Sequence, residues 1–298
     1  MPQRLFTIKL RGTNETHIYN FLALLLTGNF ATGQTTVPLW KTLPDIPPMP
    51  KADEIGFAPV NNIKLYYAIF NKNGKDPVFL LHGGFGSSAY WSGEVPLLSK
   101  THKVIIVDNR GHGRSTTTDQ PLSYNLMASD VLQLMDYLKI KNTSIVGWSD
   151  GGIIGLVLAI KYPERINKLF TFGANYNLEG YKSEPSDTSM AARFMKRALE
   201  DYRKISPTPD SFPALRKALG KMYSTEPNLD PEEIKTIKAP TVIACGQYEQ
   251  FIKREHFEKL ANLIPNAKLV ILPNVSHGGP LQDPVSFHQA VMNLLDGN

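Results

Sequence analysis

Residues 143–161 decide the fold, and they read TSIVGWSDGGIIGLVLAIK. Residues 143–146 are an apolar run typical of a strand, and residues 152–162 are predicted to form a helix. Between them, residues 147–151 fit the pattern G-x-S-x-G, whose glycines permit the sharp strand-to-helix turn that exposes a serine hydroxyl. This setting makes Ser149 a candidate nucleophile. The alternative is a glycine turn without catalytic meaning.

Strand and helix patterns alternate on both sides of this stretch. Unbroken apolar runs at 78–81 and 104–107 are typical of parallel strands covered on both faces. Further strands are predicted at 63–70, 168–172, 241–244 and 268–272, and further helices at 88–98, 124–138, 254–263 and 285–295. The alternation predicts an α/β fold class with a mostly parallel sheet flanked by helices. The core is expected to comprise residues 54–176 and 232–298.

One long segment, residues 177–231, interrupts the alternation. It begins polar and then offers helices near 189–204 and 212–223. Ligands of open α/β sheets bind at the carboxyl ends of the strands, and this segment leaves from such an end. We therefore expect a helical cap inserted over an active site. The alternative is surface decoration.

A serine nucleophile needs a general base, and His277 is the candidate among seven histidines. It follows the strand predicted at 268–272 in a loop, with two glycines after it, so its ring can reach the carboxyl edge of the sheet. His256 and His288 fall inside predicted helices, where surface or packing roles are expected. The remaining four histidines precede the nucleophile in the chain.

The third member of a triad must orient the imidazole. The loop after the strand at 241–244 contains one carboxylate, Glu249, because no aspartate lies between Asp230 and Asp283. Glutamate accepts the same N–H hydrogen bond as aspartate, although its extra methylene changes the approach. The other possible position, after the preceding strand, offers the uncharged amide Asn175. We predict Glu249 as the acid, against the alternative of a solvated loop carboxylate.

Residues 82–86 read HGGFG and follow an apolar strand. Their glycines let the backbone approach a substrate carbonyl, so the amides of Gly84 and Asp150 are predicted to form an oxyanion hole. A plain turn or a phosphate cradle is the alternative, but the loop lacks the G-x-G-x-x-G and P-loop spacings. Phe85, Trp148 and Asp150 are expected to contact the substrate.

The first 53 residues have an organisation of their own. Basic residues precede a short apolar run, and small residues follow, an order typical of a secretory signal. We predict a signal peptide at 1–33 and a periplasmic or secreted protein. The alternative is an N-terminal helix or an over-early start codon, and then a cytoplasmic protein. Five prolines between positions 38 and 50 favour an extended Pro-rich linker at 34–53 and exclude a helix there.

Composition excludes several function classes. The chain has 298 residues, 42% of them hydrophobic, which suffices for a sizeable core. Its formal charge of +5 comes from Lys and Arg scattered among acidic residues, so no nucleic-acid partner is expected. The single cysteine, Cys245, leaves no internal disulfide and no Cys metal cluster. The N-terminal apolar run falls well short of the ~20 residues that a membrane helix needs, so no stable membrane span is expected in the mature chain.

The chain from about residue 54 to residue 295 resembles the α/β-hydrolase superfamily. Ser149, Glu249 and His277 follow one another in the order nucleophile, acid, base. Residues 108–115, DNRGHGRS, are similar to the D-x-R-G-x-G-x-S loop that has a structural role in that superfamily. The chain departs from the superfamily at Glu249, where these enzymes usually carry aspartate. The resemblance implies an α/β-hydrolase fold with an inserted helical cap.

Two segments, 147–152 and 173–175, look like those of the valacyclovir-hydrolase-like branch. In that branch the residue after the nucleophile is an aspartate that favours substrates with an α-amino group. Carried onto this chain, that residue is Asp150. The alternative is that its charge merely suits a helix N-terminus, an effect worth about 0.3–1 kcal/mol.

The expected activity is that of a serine hydrolase cleaving a small-molecule carboxylic ester or lactone through an acyl-enzyme. No metal or organic cofactor is implied. Hydrolysis of carbon–carbon bonds, or of aminoacyl esters or amides, stays open on the same triad. A non-catalytic ligand-binding protein that retains the triad is the alternative of another class. The oligomeric state is left open.

Overall fold

The structure is a computed structural model that describes residues 37–184 and 188–297. The predicted signal peptide at 1–33 therefore lies outside the described residues. The strands are β1 (Glu54–Val60), β2 (Ile63–Phe70), β3 (Val78–Leu81), β4 (Val104–Val107), β5 (Thr143–Trp148), β6 (Ile166–Phe172), β7 (Thr241–Gly246) and β8 (Ala267–Leu272). They pair in one sheet in the order β1-β2-β4-β3-β5-β6-β7-β8.

The sheet is mostly parallel, as the strand–helix alternation predicts. Strands β1/β2 and β2/β4 pair antiparallel, and the pairings from β4 through β3 to β8 are parallel. Strands β3, β4, β5 and β7 are buried along their whole length, which explains their unbroken apolar runs. The α/β fold class is confirmed.

Helices cover both faces of the sheet and fill the connections. They are α1 (Val95–Leu98), α2 (Tyr124–Tyr137), α3 (Asp150–Lys161), α4 (Thr188–Ile205), α5 (Phe212–Tyr223), α6 (Pro231–Ile234), α7 (Arg254–Leu263), α8 (Gly279–Gln282) and α9 (Pro284–Leu295). Helices α2, α3 and α7 pack on one hydrophobic cluster, and α1 and α9 pack on the other. Among the described residues, no helix is both long enough and apolar enough to cross a bilayer.

Three local features differ from the sequence-based expectations. Strand β1 was not foreseen, because it is an edge strand with only Ala58 and Val60 fully buried. The helix predicted at 88–98 is instead a 3₁₀ turn, Ser88–Trp91, followed by the four-residue α1. Gly93 lies between these two pieces, and α1 carries a proline in its first turn, so a continuous helix is disfavoured. The segment expected to exclude helix contains one 3₁₀ turn, Leu39–Lys41.

The inserted segment, residues 177–231, contributes α4 and α5 between β6 and β7. Its two ends lie side by side. Leu229 N donates to Tyr176 O at 2.8 Å, and Asn177 and Asn228 form an isolated antiparallel bridge. The chain therefore leaves the sheet layer and returns to it at one place.

Candidate active site

Ser149 lies at the turn between β5 and α3 in a strained backbone conformation. Its φ of 52° and ψ of −118° belong to a region that residues with a side chain rarely adopt. Gly151 allows the turn to pack against β3, because a Cβ on it would lie 2.0 Å from Leu81 O. The strand-to-helix turn expected from G-x-S-x-G is thus present, and Ser149 lines a cavity at the carboxyl end of the central strands.

His277 and Glu249 form a direct contact. Nδ1 of His277 lies 2.9 Å from both Oε1 and Oε2 of Glu249. The carboxylate is buried, and its Oε1 also accepts a hydrogen bond from Phe251 N at 3.0 Å. A carboxylate can only accept, so Nδ1 carries the proton, and in the neutral ring Nε2 is left free to accept another. The alternative position, Asn175, instead donates its side-chain amide to Asn177 O.

Two neighbours of the predicted triad hold the backbone of His277. The indole of Trp148, the residue before Ser149, donates to His277 O at 2.8 Å. The side chain of Gln250, the residue after Glu249, accepts from His277 N at 2.9 Å. The sequence predicts Trp148 only as a substrate contact and gives no sign of Gln250, because a motif does not show which backbone group a side chain will bind.

Ser149 and His277 line the same cavity. Among the residues that the structure describes, no hydrogen bond joins Ser149 Oγ to the imidazole. Catalytic hydrogen bonds are often long without substrate and tighten when it binds. The structure therefore places the three candidate residues at one site, with Glu249 and His277 in direct contact.

The two predicted oxyanion donors are not used in hydrogen bonds within the described residues. Within the described chain, neither the amide of Gly84 nor that of Asp150 donates to a protein acceptor. The next amide, that of Phe85, is equally unpaired, and this residue has a positive φ of 63°. The HGGFG loop therefore offers two adjacent amides beside the N-terminus of α3.

The cavity beside Ser149 has a volume of about 350 Å³ and is mostly apolar. Its walls come from the glycine loop, the loops after β6, β7 and β8, and the inserted segment. The insertion's contribution includes Tyr181, Met190, Phe194, Met195 and Tyr223. All three expected substrate contacts, Phe85, Trp148 and Asp150, lie on the wall. Such a cavity suits a small, largely apolar molecule.

Asp150 is buried beneath two tyrosine hydroxyls. Tyr124 Oη donates to Oδ1 at 2.8 Å, and Tyr223 Oη donates to Oδ2 at 2.7 Å. Burial raises the pKa of Asp150, while the hydrogen bonds from Tyr223 and Tyr124 and the nearby His277 oppose that rise. Burial also raises the pKa of both tyrosines well above its ordinary value, so they remain protonated donors. Helix α5 is thereby tied to the N-terminus of α3.

Lys182 is a further polar residue on the cavity wall that the sequence did not single out. Its ammonium donates to Glu249 O at 2.6 Å. Its backbone N donates to Phe251 O, and the adjacent Tyr181 bridges to Ile252. The start of the inserted segment is therefore pinned to the loop that carries the predicted acid.

Comparisons with known proteins agree with this architecture. Residues 76–208 match the family model described as the alpha/beta hydrolase fold. The serine hydrolase BPHL of Mus musculus is 27% identical over 248 residues, which cover 79% of this chain and 84% of that protein. The sn-1-specific diacylglycerol lipase ABHD11 of Danio rerio is 26% identical over 268 residues, covering 80% and 83%.

Solved structures share the fold. A meta-cleavage product hydrolase of Pseudomonas fluorescens IP01 superposes with a TM-score of 0.67 at 20% identity, covering 83% of this chain and 98% of its own. At that identity the likeness concerns the fold alone. The sheet order, the match of residues 76–208 to the family model and the relatives agree on an α/β-hydrolase fold for this chain, which resembles the serine hydrolase BPHL.

Proposed function

We propose that this hydrolase cleaves a small-molecule carboxylic ester or lactone through an acyl-enzyme. The observation that carries the proposal is the bidentate contact of Glu249 with His277 Nδ1, beside a serine held on a strained turn in the same cavity. That contact leaves Nε2 as a general base. The names of a serine hydrolase and of a lipase among the relatives support action on an ester bond.

In the proposed mechanism, Ser149 Oγ attacks the carbonyl carbon while His277 Nε2 takes its proton. Glu249 stabilises the resulting imidazolium and keeps the ring oriented. The oxyanion receives hydrogen bonds from the amides of Gly84 and Asp150. His277 then protonates the leaving alkoxide, and water repeats the sequence on the acyl-enzyme. Loss of one oxyanion donor typically costs about 10²–10³ in turnover.

The inserted segment serves as the cap in this proposal. It supplies a large share of the apolar wall and is fixed at two points near the predicted acid and nucleophile, through Lys182 and Tyr223. Closing the site from water strengthens the electrostatic interactions within it. The shape of this wall would select the acyl and alcohol groups.

The test is labelling by a fluorophosphonate probe together with hydrolysis of short p-nitrophenyl esters. We expect covalent labelling at Ser149 and loss of both signals in Ser149→Ala. Glu249→Gln should lower kcat strongly, whereas Asn175→Ala should keep the acid–base pair. Hydrolysis that persists unchanged in Ser149→Ala would refute the assigned nucleophile, and absence of labelling in the folded wild type would favour a ligand-binding protein instead.

A second candidate function is hydrolysis of aminoacyl esters. Asp150 is a buried carboxylate on the cavity wall, and within the described residues no lysine or arginine forms an ion pair with it. Each carboxylate oxygen accepts one tyrosine hydroxyl and keeps further acceptor capacity for a substrate ammonium. Under this candidate, Asp150→Asn raises KM for an aminoacyl ester and leaves KM for its deaminated analogue unchanged. Equal losses for both esters would instead indicate a local structural role.

A further inference from the structure

Residues 37–46, called the strap from here on, dock on α4 of the inserted segment. Arg193 donates from its guanidinium to Lys41 O at 2.7 Å. Arg197 donates to Leu43 O at 2.9 Å and to Pro44 O at 2.6 Å. Hydrogen bonds from charged donors are worth more than neutral ones, so the strap is held as a fixed element rather than as a loose connection.

A second set of contacts joins the strap to the loop that carries His277. The side-chain amide of Gln282, on α8, donates to Trp40 O at 3.2 Å and to Thr42 O at 2.9 Å. Its Oε1 accepts from Ser276 N at 2.7 Å and from Ser276 Oγ at 3.1 Å. Both donors and both acceptor positions of this buried amide are thus used.

The strap also contacts the loop that carries the predicted acid. The Trp40 ring stacks on Tyr248 with 4.6 Å between centroids and 17° between planes. Tyr248 directly precedes Glu249. The strap therefore contacts α4, the loop of Glu249 (the acid loop) and, through Gln282, the loop of His277 (the base loop). Among the described residues, Gln282 is the only side chain that links the strap to the base loop by hydrogen bonds.

We propose that Gln282 is a positioning residue that couples the docked strap to the orientation of the His277 imidazole. This inference rests on the proposed hydrolase function, in which His277 is the base. Ser276, which Gln282 holds by two hydrogen bonds, is fully buried and directly precedes His277. A base displaced by a fraction of an ångström loses its alignment with Ser149, and misplacement of about 1 Å can cost 10²-fold in rate.

Gln282→Glu separates the two sides of this link. A carboxylate still accepts from Ser276 N and Oγ, but its second oxygen faces the carbonyls of Trp40 and Thr42 and repels them. Gln282→Met removes both sides. The matched control is Gln289→Glu, the same change on α9 at an exposed glutamine that binds only Asn293 four residues on. Trp40→Ala loosens the strap from the acid loop without introducing a charge.

We expect kcat to fall about tenfold in Gln282→Glu and further in Gln282→Met, with KM changed by less than about twofold, because ground-state binding is untouched. Trp40→Ala should lower kcat in the same direction, and Gln289→Glu should match the wild type. The second readout is the ¹⁵N-edited NMR spectrum of the His277 ring, which should shift in Gln282→Glu and in Trp40→Ala but not in Gln289→Glu.

Wild-type kcat and unchanged His277 ring signals in folded Gln282→Glu would overturn the inference. If Gln282→Glu fails to fold, Gln282→Met, which removes the link without adding a charge, decides by the same two measurements. If the wild type itself shows no Ser149 labelling, the proposed function fails. The ring signals then decide the positioning inference separately, since shifted signals support the coupling and unshifted ones refute it.

Discussion

The indole Nε1 of Trp148 donates a hydrogen bond to the carbonyl oxygen of His277 at 2.8 Å. Trp148 directly precedes the predicted nucleophile on β5, whereas His277 lies in the loop after β8, so this bond ties the two ends of the site together across the sheet edge. The G-x-S-x-G motif leaves its second residue undefined. In this chain that residue links the serine turn to the predicted base, His277.

Trp148→Phe keeps a ring in the aromatic cluster and removes this donor. We expect kcat to fall by about tenfold, because a net hydrogen bond is worth about 0.5–1.5 kcal/mol and the carbonyl is left unpaired. Steady-state kinetics on a p-nitrophenyl ester measure the effect. Trp91→Phe is the matched control, since the buried Nε1 of Trp91 has no hydrogen-bond partner among the described residues. Equal kcat in both variants would show that the Trp148 bond is dispensable.

Tyr223→Phe removes one of the two hydroxyls that stabilise the buried Asp150 carboxylate. We expect a loss of about 1.5–3 kcal/mol in the free energy of unfolding at pH 8, as for hydrogen bonds to charged groups. The hydrogen bond lowers the pKa that burial raises, so its loss raises the pKa of Asp150 further. The loss of unfolding free energy in Tyr223→Phe is therefore present while Asp150 is ionised, and it shrinks as the pH falls through the pKa of Asp150.

Urea unfolding of the wild type and Tyr223→Phe at several pH values measures this difference. Tyr137→Phe, at an exposed tyrosine, is the control and should behave as the wild type. A pH-independent loss in Tyr223→Phe would mean that the hydroxyl contributes packing and does not stabilise the charge.

His256 should make the fold less stable in acid. Burial, followed by the charges of Lys259 and Lys253, lowers the pKa of His256 to about 4 from its ordinary value of 6.5. Its Nε2 accepts from Tyr176 N at 3.1 Å, and its ring stacks on Tyr176, so the native state holds it neutral. Between pH 6.5 and 4, His256 is protonated in the unfolded chain but stays neutral in the folded chain. The free energy of unfolding therefore falls as the pH drops through this window.

The expected size is about 2–3 kcal/mol between pH 7.5 and pH 4.5. Urea unfolding of the wild type and of His256→Gln at both pH values isolates it, because glutamine can still accept the hydrogen bond but does not titrate. Identical pH dependence in the two proteins would show that His256 is not the group responsible.

We propose export of this protein and cleavage of the segment 1–33. N-terminal sequencing of periplasmic or secreted material should then begin near Gln34, a few residues before the strap. An intact Met1 on that material would refute cleavage. Replacement of Leu24 by a charged residue, within the apolar run of the signal, should retain the protein in the cytoplasm.

The core elements were predictable because their signals are local. Residues 78–81 and 104–107 are unbroken apolar runs, and the structure places strands with the same bounds there. Strand β1 escaped prediction because an edge strand buries only part of one face. Prolines in and after the strap predict an extended segment, but the docking of its carbonyls on Arg197 and Gln282 depends on partners far away in the chain.

The candidate site likewise contains residues that the sequence predicts and residues that only the structure shows. Ser149 and its turn follow from a motif in neighbouring residues, and Glu249 follows from the absence of other carboxylates in its loop. Gln250, Lys182 and Gln282 bind backbone atoms of these loops. Every residue type carries a backbone carbonyl, and nearly all carry an amide, so the sequence does not show which of these groups will be bound. Their roles could be recognised only once the loops were seen together.

The paired ends of residues 177–231 have a consequence for how this protein can change over evolution. Because Tyr176 and Leu229 are hydrogen-bonded to each other, the insertion begins and ends at the same place beside the sheet. Helices of other lengths or sequences can be exchanged there while the strands that support the serine turn and the histidine loop keep their spacing. New substrate preferences can therefore arise by replacing one part of the gene, with the reaction chemistry inherited unaltered.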